Sequence, residues 1–244
     1  MRPREFFDRF VFVYKCVGCG EILSYEQSQS AFCRKCRASY DEIKTVNCSS
    51  CYRETVACTC MPTALSKSGA LCLRKLMPYD KKKEHTPPNR LLYRLKHQPN
   101  RRLEHFVADE LAPLVREELA VLSLDAPAED AVIVYLPRSR RAKRAEGFDQ
   151  SERLSRALSR ILEIPVAKAI VRTRRGRVQK ALGAAERMKN AKESFRYDPH
   201  VDVKGKYVLL FDDVVTTGAG MSVCTSLLRR AGAKGILCFC MAIG

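Results

Sequence analysis

Two acids and a hydroxyl- and glycine-rich turn stand within one short stretch: Asp212 and Asp213, then Thr216, Thr217, Gly218, Ala219 and Gly220. At that spacing all seven can serve one ligand. Small residues let backbone amides close around an anion, and the threonine hydroxyls add donors. Two carboxylates one turn away accept hydrogen bonds from vicinal sugar hydroxyls, directly or through a hydrated Mg²⁺. This is the chemistry of a phosphosugar site. A second concentration lies in Cys16/Cys19, Cys33/Cys36, Cys48/Cys51 and Cys58/Cys60. Three of the pairs are CxxC, the turn that lets two thiolates reach one tetrahedral metal; the last is CxC. Eight thiolates suit one or two structural Zn²⁺ sites. Consecutive pairing joins Cys16, Cys19, Cys33 and Cys36, then Cys48, Cys51, Cys58 and Cys60, while a crossed arrangement stays open. Redox-active CxxC is the competing chemistry, against which four clustered pairs weigh.

The acids need a strand before them and a helix after the turn. Tyr207–Phe211 is five apolar residues in a row, which predicts a strand buried on both faces and ending at the acids. Cys224, Leu227, Leu228 and Ala231 then share one helical face, with Gly232 as the stop. Ala131–Leu136 predicts a second buried strand, followed by Arg138, Arg140, Arg141, Lys143 and Arg144. Loops at the carboxyl ends of parallel strands collect ligands, so this basic loop is expected near Asp212 and Thr217. Asp149 or Ser151 caps a further helix. Ala167–Val171 and Ile236–Ile243 read as strands, and the basic run Arg172–Lys180 as a lid over a polyphosphate. Arg90–Lys96 and the Leu103–Leu114 repeat are helical, with a kink or restart expected at Pro113.

The organisation that follows is an N-terminal zinc-binding module over 1–76, a linker over 77–89 and an α/β domain over 90–244. The prolines and turn residues between Met61 and Asn89 mark the linker. The module gains folding energy from its metal and serves as a staple on the main domain or as a binder of nucleic acid or protein. Its Tyr14, Tyr25, Phe32, Tyr40 and Tyr52 are suited either to base stacking or to local packing. A net charge of +17 points to an anionic partner. No apolar run approaches the roughly 18–20 residues of a membrane span, and the apolar run near the start is too short for a signal peptide, so a cytoplasmic protein is expected.

FDDVVTTGAG resembles the phosphoribosyl-pyrophosphate (PRPP) motif of type I phosphoribosyltransferases. The resemblance implies that Asp212 and Asp213 hold the ribose and that Thr216, Thr217 and Gly218, continued by Ala219 and Gly220, hold the 5′-phosphate. Where that motif has a threonine or serine, this chain has Gly220. The order of blocks along the chain is similar to the ComF competence family: cysteine pairs, Lys96, Gly147-Phe148 with Gln150, then Gln179, Leu182, Arg187 and Asn190, then DDVVTTG. That family couples a zinc finger to a type I phosphoribosyltransferase-like parallel sheet. Membership implies PRPP and Mg²⁺ as ligands and a role in natural transformation, with single-stranded DNA and other competence proteins as partners. The resemblance also casts Asp213 as the catalytic carboxylate and Arg138 as a pyrophosphate ligand. Glu146, Asp149, Gly176 and Tyr135 depart from the family's pattern. A salvage phosphoribosyltransferase and a zinc-dependent nucleic-acid binder with a vestigial pocket are the alternatives.

Overall fold

The computed structural model describes residues 13–80, 82–83, 85–122, 127–173 and 184–244. Among them, α1 (Arg34–Lys44) and α2 (Thr63–Ser68) lead into β1 (Cys72–Pro78). Then come α3 (Pro87–His97), α4 (Arg101–Val121), the short α5 (Pro127–Asp130) and β2 (Ala131–Tyr135). Next are α6 (Arg140–Glu146), α7 (Gln150–Leu162), β3 (Val166–Ala167) and β4 (Ile170–Arg172). The chain closes with α8 (Ala184–Ser194), β5 (Phe195–Tyr197), β6 (Tyr207–Val215), α9 (Ala219–Arg230) and β7 (Gly235–Ile243).

Five strands form one parallel sheet in the order β1-β7-β6-β2-β3. Ala131–Tyr135 of β2, Tyr207–Phe211 of β6 and β7 are continuous apolar runs because both faces of the sheet are covered. Leu209 and Phe211 point to the face that packs against α3, α4 and α7, whereas Val208 and Leu210 point to the face that packs against α9. Helices on both faces of a parallel sheet make this an α/β fold of the expected class. β4 and β5 pair separately as an antiparallel ribbon, so the expected single strand over Ala167–Val171 is two short strands in different sheets.

β6 runs further than its apolar stretch. Its pairing with β2 stops at Tyr135–Phe211, but its pairing with β7 continues through Asp212–Cys240 to Val215–Ile243. The acids therefore sit on the strand, at the place where β2 has turned away, rather than beyond its end. α4 is also continuous through Pro113. Pro113 and Asp109 are both exposed, so the carbonyl that Pro113 leaves without an amide partner meets water.

The largest difference from the sequence reading is β1. Cys72–Pro78, which that reading divides between module and linker, is an edge strand paired in parallel with β7. Two buried cations in its middle disguise it. Arg74 ion-pairs with Glu117 at 2.7 Å and Glu118 at 2.6 Å, and the Lys75 ammonium donates to the Cys60 carbonyl at 2.7 Å and Cys58 Sγ at 3.2 Å.

The cysteine-rich segment docks on the domain through α1. Phe32, Tyr40 and Phe106 form a buried ring cluster with centroids 5.0–5.8 Å apart. Arg37 and Lys44 of α1 both pair with Glu110 of α4. Arg102 donates to the carbonyls of Ser30 and Lys15. Phe32 and Tyr40 thus serve packing rather than stacking, while Tyr52 remains 80% exposed.

Candidate functional site

Thr216 to Met221 wrap one wall of a cavity of about 320 Å³ at the carboxyl ends of β2 and β6. Gly218 is the N-cap of α9, with φ of +70° and no side chain to accept from the first helical amides. Those amides have no partner within a helix, so they are free to face an anion. The positive φ favours glycine at 218, and a methyl group there would also crowd Pro62 Cβ at 3.1 Å.

Asp212, Asp213, Thr216, Thr217, Gly218, Ala219, Gly220 and Arg138 all line this cavity. Each acid turns one oxygen to the next backbone amide: Asp212 Oδ1 accepts from Asp213 N–H at 2.9 Å, and Asp213 Oδ1 from Val214 N–H at 2.8 Å. Burial, then the neighbouring Asp213 charge, pushes the Asp212 carboxyl well above the usual carboxylate range, with Arg172 pulling the other way. Two acids held this close have unspent acceptor capacity and favour a cation or sugar hydroxyls between them.

Of the basic stretch after β2, Arg138 alone is in the cavity wall. Arg140 to Arg144 instead form α6, whose first turn is capped by Ser139 Oγ accepting from Ala142 N–H at 3.2 Å. Lys143 faces away to Asp149 at 2.8 Å. Asp149 is buried, caps α7 and also accepts from Arg138 N–H at 3.0 Å. Its carboxylate therefore orients the backbone of Arg138, which gives this departure from the family's pattern a structural task. Glu146 likewise has a partner, His97 Nδ1 at 2.9 Å. Gly176, Gln179, Leu182 and most of the expected lid lie outside the described residues, while Arg187 and Asn190 reach the cavity from α8.

Two wall residues carried no individual signal in the sequence. Arg172 stands at the end of β4 with its guanidinium 5.0 Å from the Phe195 ring centre. Burial lowers its proton affinity, and Asp212 offsets that. Ser194 is 1% exposed, and its hydroxyl has no hydrogen-bond partner among the described residues. Arg172 is placed by the β4–β5 ribbon and Ser194 by the end of α8, where the Ser194 carbonyl accepts from Thr173 N–H at 2.8 Å; a cation closing a short apolar run was the available clue for Arg172.

Gly220 occupies an ordinary helical position, where an added Cβ would meet Leu136 at 3.4 Å and Phe195 at 3.5 Å. These are tolerable contacts, so Gly220→Ser is expected to fold and to restore a hydroxyl to the cradle. Inorganic phosphate affinity, measured by calorimetry, should rise by about threefold to tenfold.

The cysteines fall into the two consecutive quartets. In Cys16, Cys19, Cys33 and Cys36, and again in Cys48, Cys51, Cys58 and Cys60, the sulfurs all lie within 4.8 Å of one another. Cys19 and Cys33 sulfurs are 3.7 Å apart, and Cys51 and Cys58 sulfurs 3.5 Å. A tetrahedron with Zn–S bonds of about 2.3 Å has edges of about 3.8 Å, so both quartets fit structural zinc. The thiols resist joint ionisation. Backbone amides hold Cys48 down to about 6, whereas hydrogen bonding to Cys51 and Cys58 raises Cys60 to about 12. A dication among the four removes that conflict. Cys72, Cys224, Cys238 and Cys240 are buried in the core.

No protein-family model matches the sequence. Among curated proteins, the DNA utilization protein YhgH of Escherichia coli (strain K12) is 32% identical over 179 residues, covering 70% of this chain and 75% of its own. The chain belongs to the ComF competence family, which includes YhgH. YhgH of Salmonella typhi is 34% identical over 176 residues with the same coverage. The ComF-family relative Competence protein F of Haemophilus influenzae is 32% identical over 152 residues, 62% of this chain and 65% of that protein. A solved structure of the allosteric regulatory enzyme of purine biosynthesis is similar over 56% of this ComF-family chain and 25% of that one, at 22% identity and a TM-score of 0.36. No described helix is long and apolar enough to cross a membrane.

Proposed function

We propose that this protein binds PRPP with Mg²⁺ in the 320 Å³ cavity and supports the handling of incoming single-stranded DNA. The observation that carries the first half is the pairing, in one cavity, of an uncapped helix N-terminus with twin carboxylates. The amides and hydroxyls of Thr216–Gly220 take the 5′-phosphate, Asp212 and Asp213 take the ribose hydroxyls, and Arg138 and Arg172 face the diphosphate. The hard oxygens of Asp212 and Asp213 suit Mg²⁺, which when bound neutralises diphosphate charge. If transfer occurs, Asp213 stabilises the positive charge that develops at the anomeric carbon. Calorimetry with PRPP and Mg²⁺ tests this reading; absence of binding by the native protein overturns it.

The second half rests on the names of the YhgH and competence relatives and on the +17 charge. Phosphate contacts release counterions, so affinity for an oligothymidylate should fall steeply with salt, with a log–log slope of about −0.7 per phosphate contacted. A flat salt response in fluorescence anisotropy removes the DNA assignment and leaves the PRPP site standing.

A further inference from the structure

Beside the 320 Å³ cavity lies a larger one of about 770 Å³, and the two share Lys96, Asp213, Val214 and Thr216. We propose that this second cavity is the acceptor subsite, and that it takes a planar nitrogen heterocycle carrying an acid group. The assignment rests on the reading of the first cavity as the PRPP site.

The walls come mainly from one face of α3. Leu91, Leu92 and Leu95 are buried, which fixes the helix on the sheet and turns Arg90, Tyr93, Arg94 and His97 towards the opening. Tyr93 is 66% exposed, with its ring centre 4.4 Å from that of His97. A large aromatic ring left in water beside a cavity is a stacking platform for a flat ligand. Charge then selects among flat ligands. Among the described residues of the lining, Arg90, Arg94 and Lys96 stand against one acid, Asp213. Arg90 is anchored to the Gly18 carbonyl and Arg94 to Gln98 Oε1 at 2.7 Å, while the Lys96 ammonium has no ion pair among the described residues. An acid group on the heterocycle meets these cations, with the ring nitrogen left towards Asp213 and the anomeric carbon. In the transfer, the nitrogen lone pair forms the new bond to the anomeric carbon as the carbon–oxygen bond breaks. The bond pair leaves with diphosphate, and the N–H proton passes through Asp213 to water.

Orotate, a planar heterocyclic carboxylate, and uracil, the same ring without the acid, are the probes for calorimetry on the full zinc-loaded chain. PRPP with Mg²⁺ is titrated separately. Orotate is expected to bind about tenfold or more tighter than uracil. Tyr93→Ala and Arg94→Ala should each weaken orotate about tenfold while leaving PRPP affinity unchanged, because both side chains are exposed and lie outside the first cavity. If PRPP binds but orotate does not, or if orotate binds no better than uracil, the subsite is overturned and the PRPP reading stands. A Tyr93-dependent site for a ten-residue oligothymidylate, without orotate binding, gives the cavity to nucleic acid and also overturns it. If PRPP itself does not bind, both assignments fall.

Discussion

Replacing Cys58 with alanine is expected to lower the bound zinc from two per chain to one and to destabilise the whole protein. Loss of one thiolate ligand disables the second quartet. The larger effect comes from Lys75, 2% exposed on β1, whose ammonium has Cys58 Sγ and the Cys60 carbonyl as its partners. Without the thiolate, a buried cation is left with one neutral acceptor, a situation that costs about 3–5 kcal/mol. Because β1 pairs with β7 along six residue pairs, that cost falls on the central sheet rather than on a detachable appendage. Elemental analysis reads the metal and denaturant unfolding reads the stability. A double variant, Cys58→Ala with Lys75→Met, separates the two causes: it should recover most of the stability while zinc stays near one. Unchanged unfolding of the single variant would mean that the sheet and the quartet are independent.

The second large effect concerns Asp212. Its folded-state proton affinity is raised, chiefly by burial and then by Asp213. The sign follows directly: a group that holds its proton more tightly when folded favours folding at low pH, and that contribution is lost as pH rises from the ordinary carboxylate range through the raised folded value. At neutral pH, above the ordinary carboxylate range, Asp212 therefore carries a net penalty against folding of the ligand-free protein. Asp212→Asn removes it and should raise the thermal midpoint by a few degrees, at about 2–4 °C per kcal/mol for a chain of this size. The same variant loses a charged acceptor for the ribose, and with Asp213→Asn added PRPP affinity should fall by about 100-fold or more. Thermal scans across pH check the first part, since the neutral variant should also have a flatter stability profile. Calorimetry checks the second. A variant that is both less stable and unimpaired in PRPP binding would refute the assignment.

The arrangement of the stretch around the acids was legible because its parts are contiguous: apolar strand, acids, turn and helix follow one another within Tyr207–Arg230. The quartets were legible for the same reason, since CxxC spacing is a local property. What failed depended on distant partners. β1 reads as linker because Arg74 and Lys75 interrupt its apolar run, and only Glu117, Glu118 and the second quartet make those cations tolerable in a sheet. Arg140 to Arg144 look like a ligand-binding loop until Ser139 and Asp149 are seen to fold them into a capped helix turned aside. The larger cavity had no sequence signature, because its lining joins one face of α3 to residues distant in sequence, Val17, Tyr79 and Asp213.

Pro62 lies two residues beyond the last ligand of the second quartet and packs beneath Gly218. The floor of the anion cradle is thus the chain's exit from a cysteine cluster. Chelators or oxidants that loosen the cluster are therefore expected to loosen the floor, and by linkage an occupied cradle to raise the cluster's affinity for a metal ion. On the proposed reading of the cradle, thiol chemistry some distance from the sugar would then be felt as a change in sugar affinity.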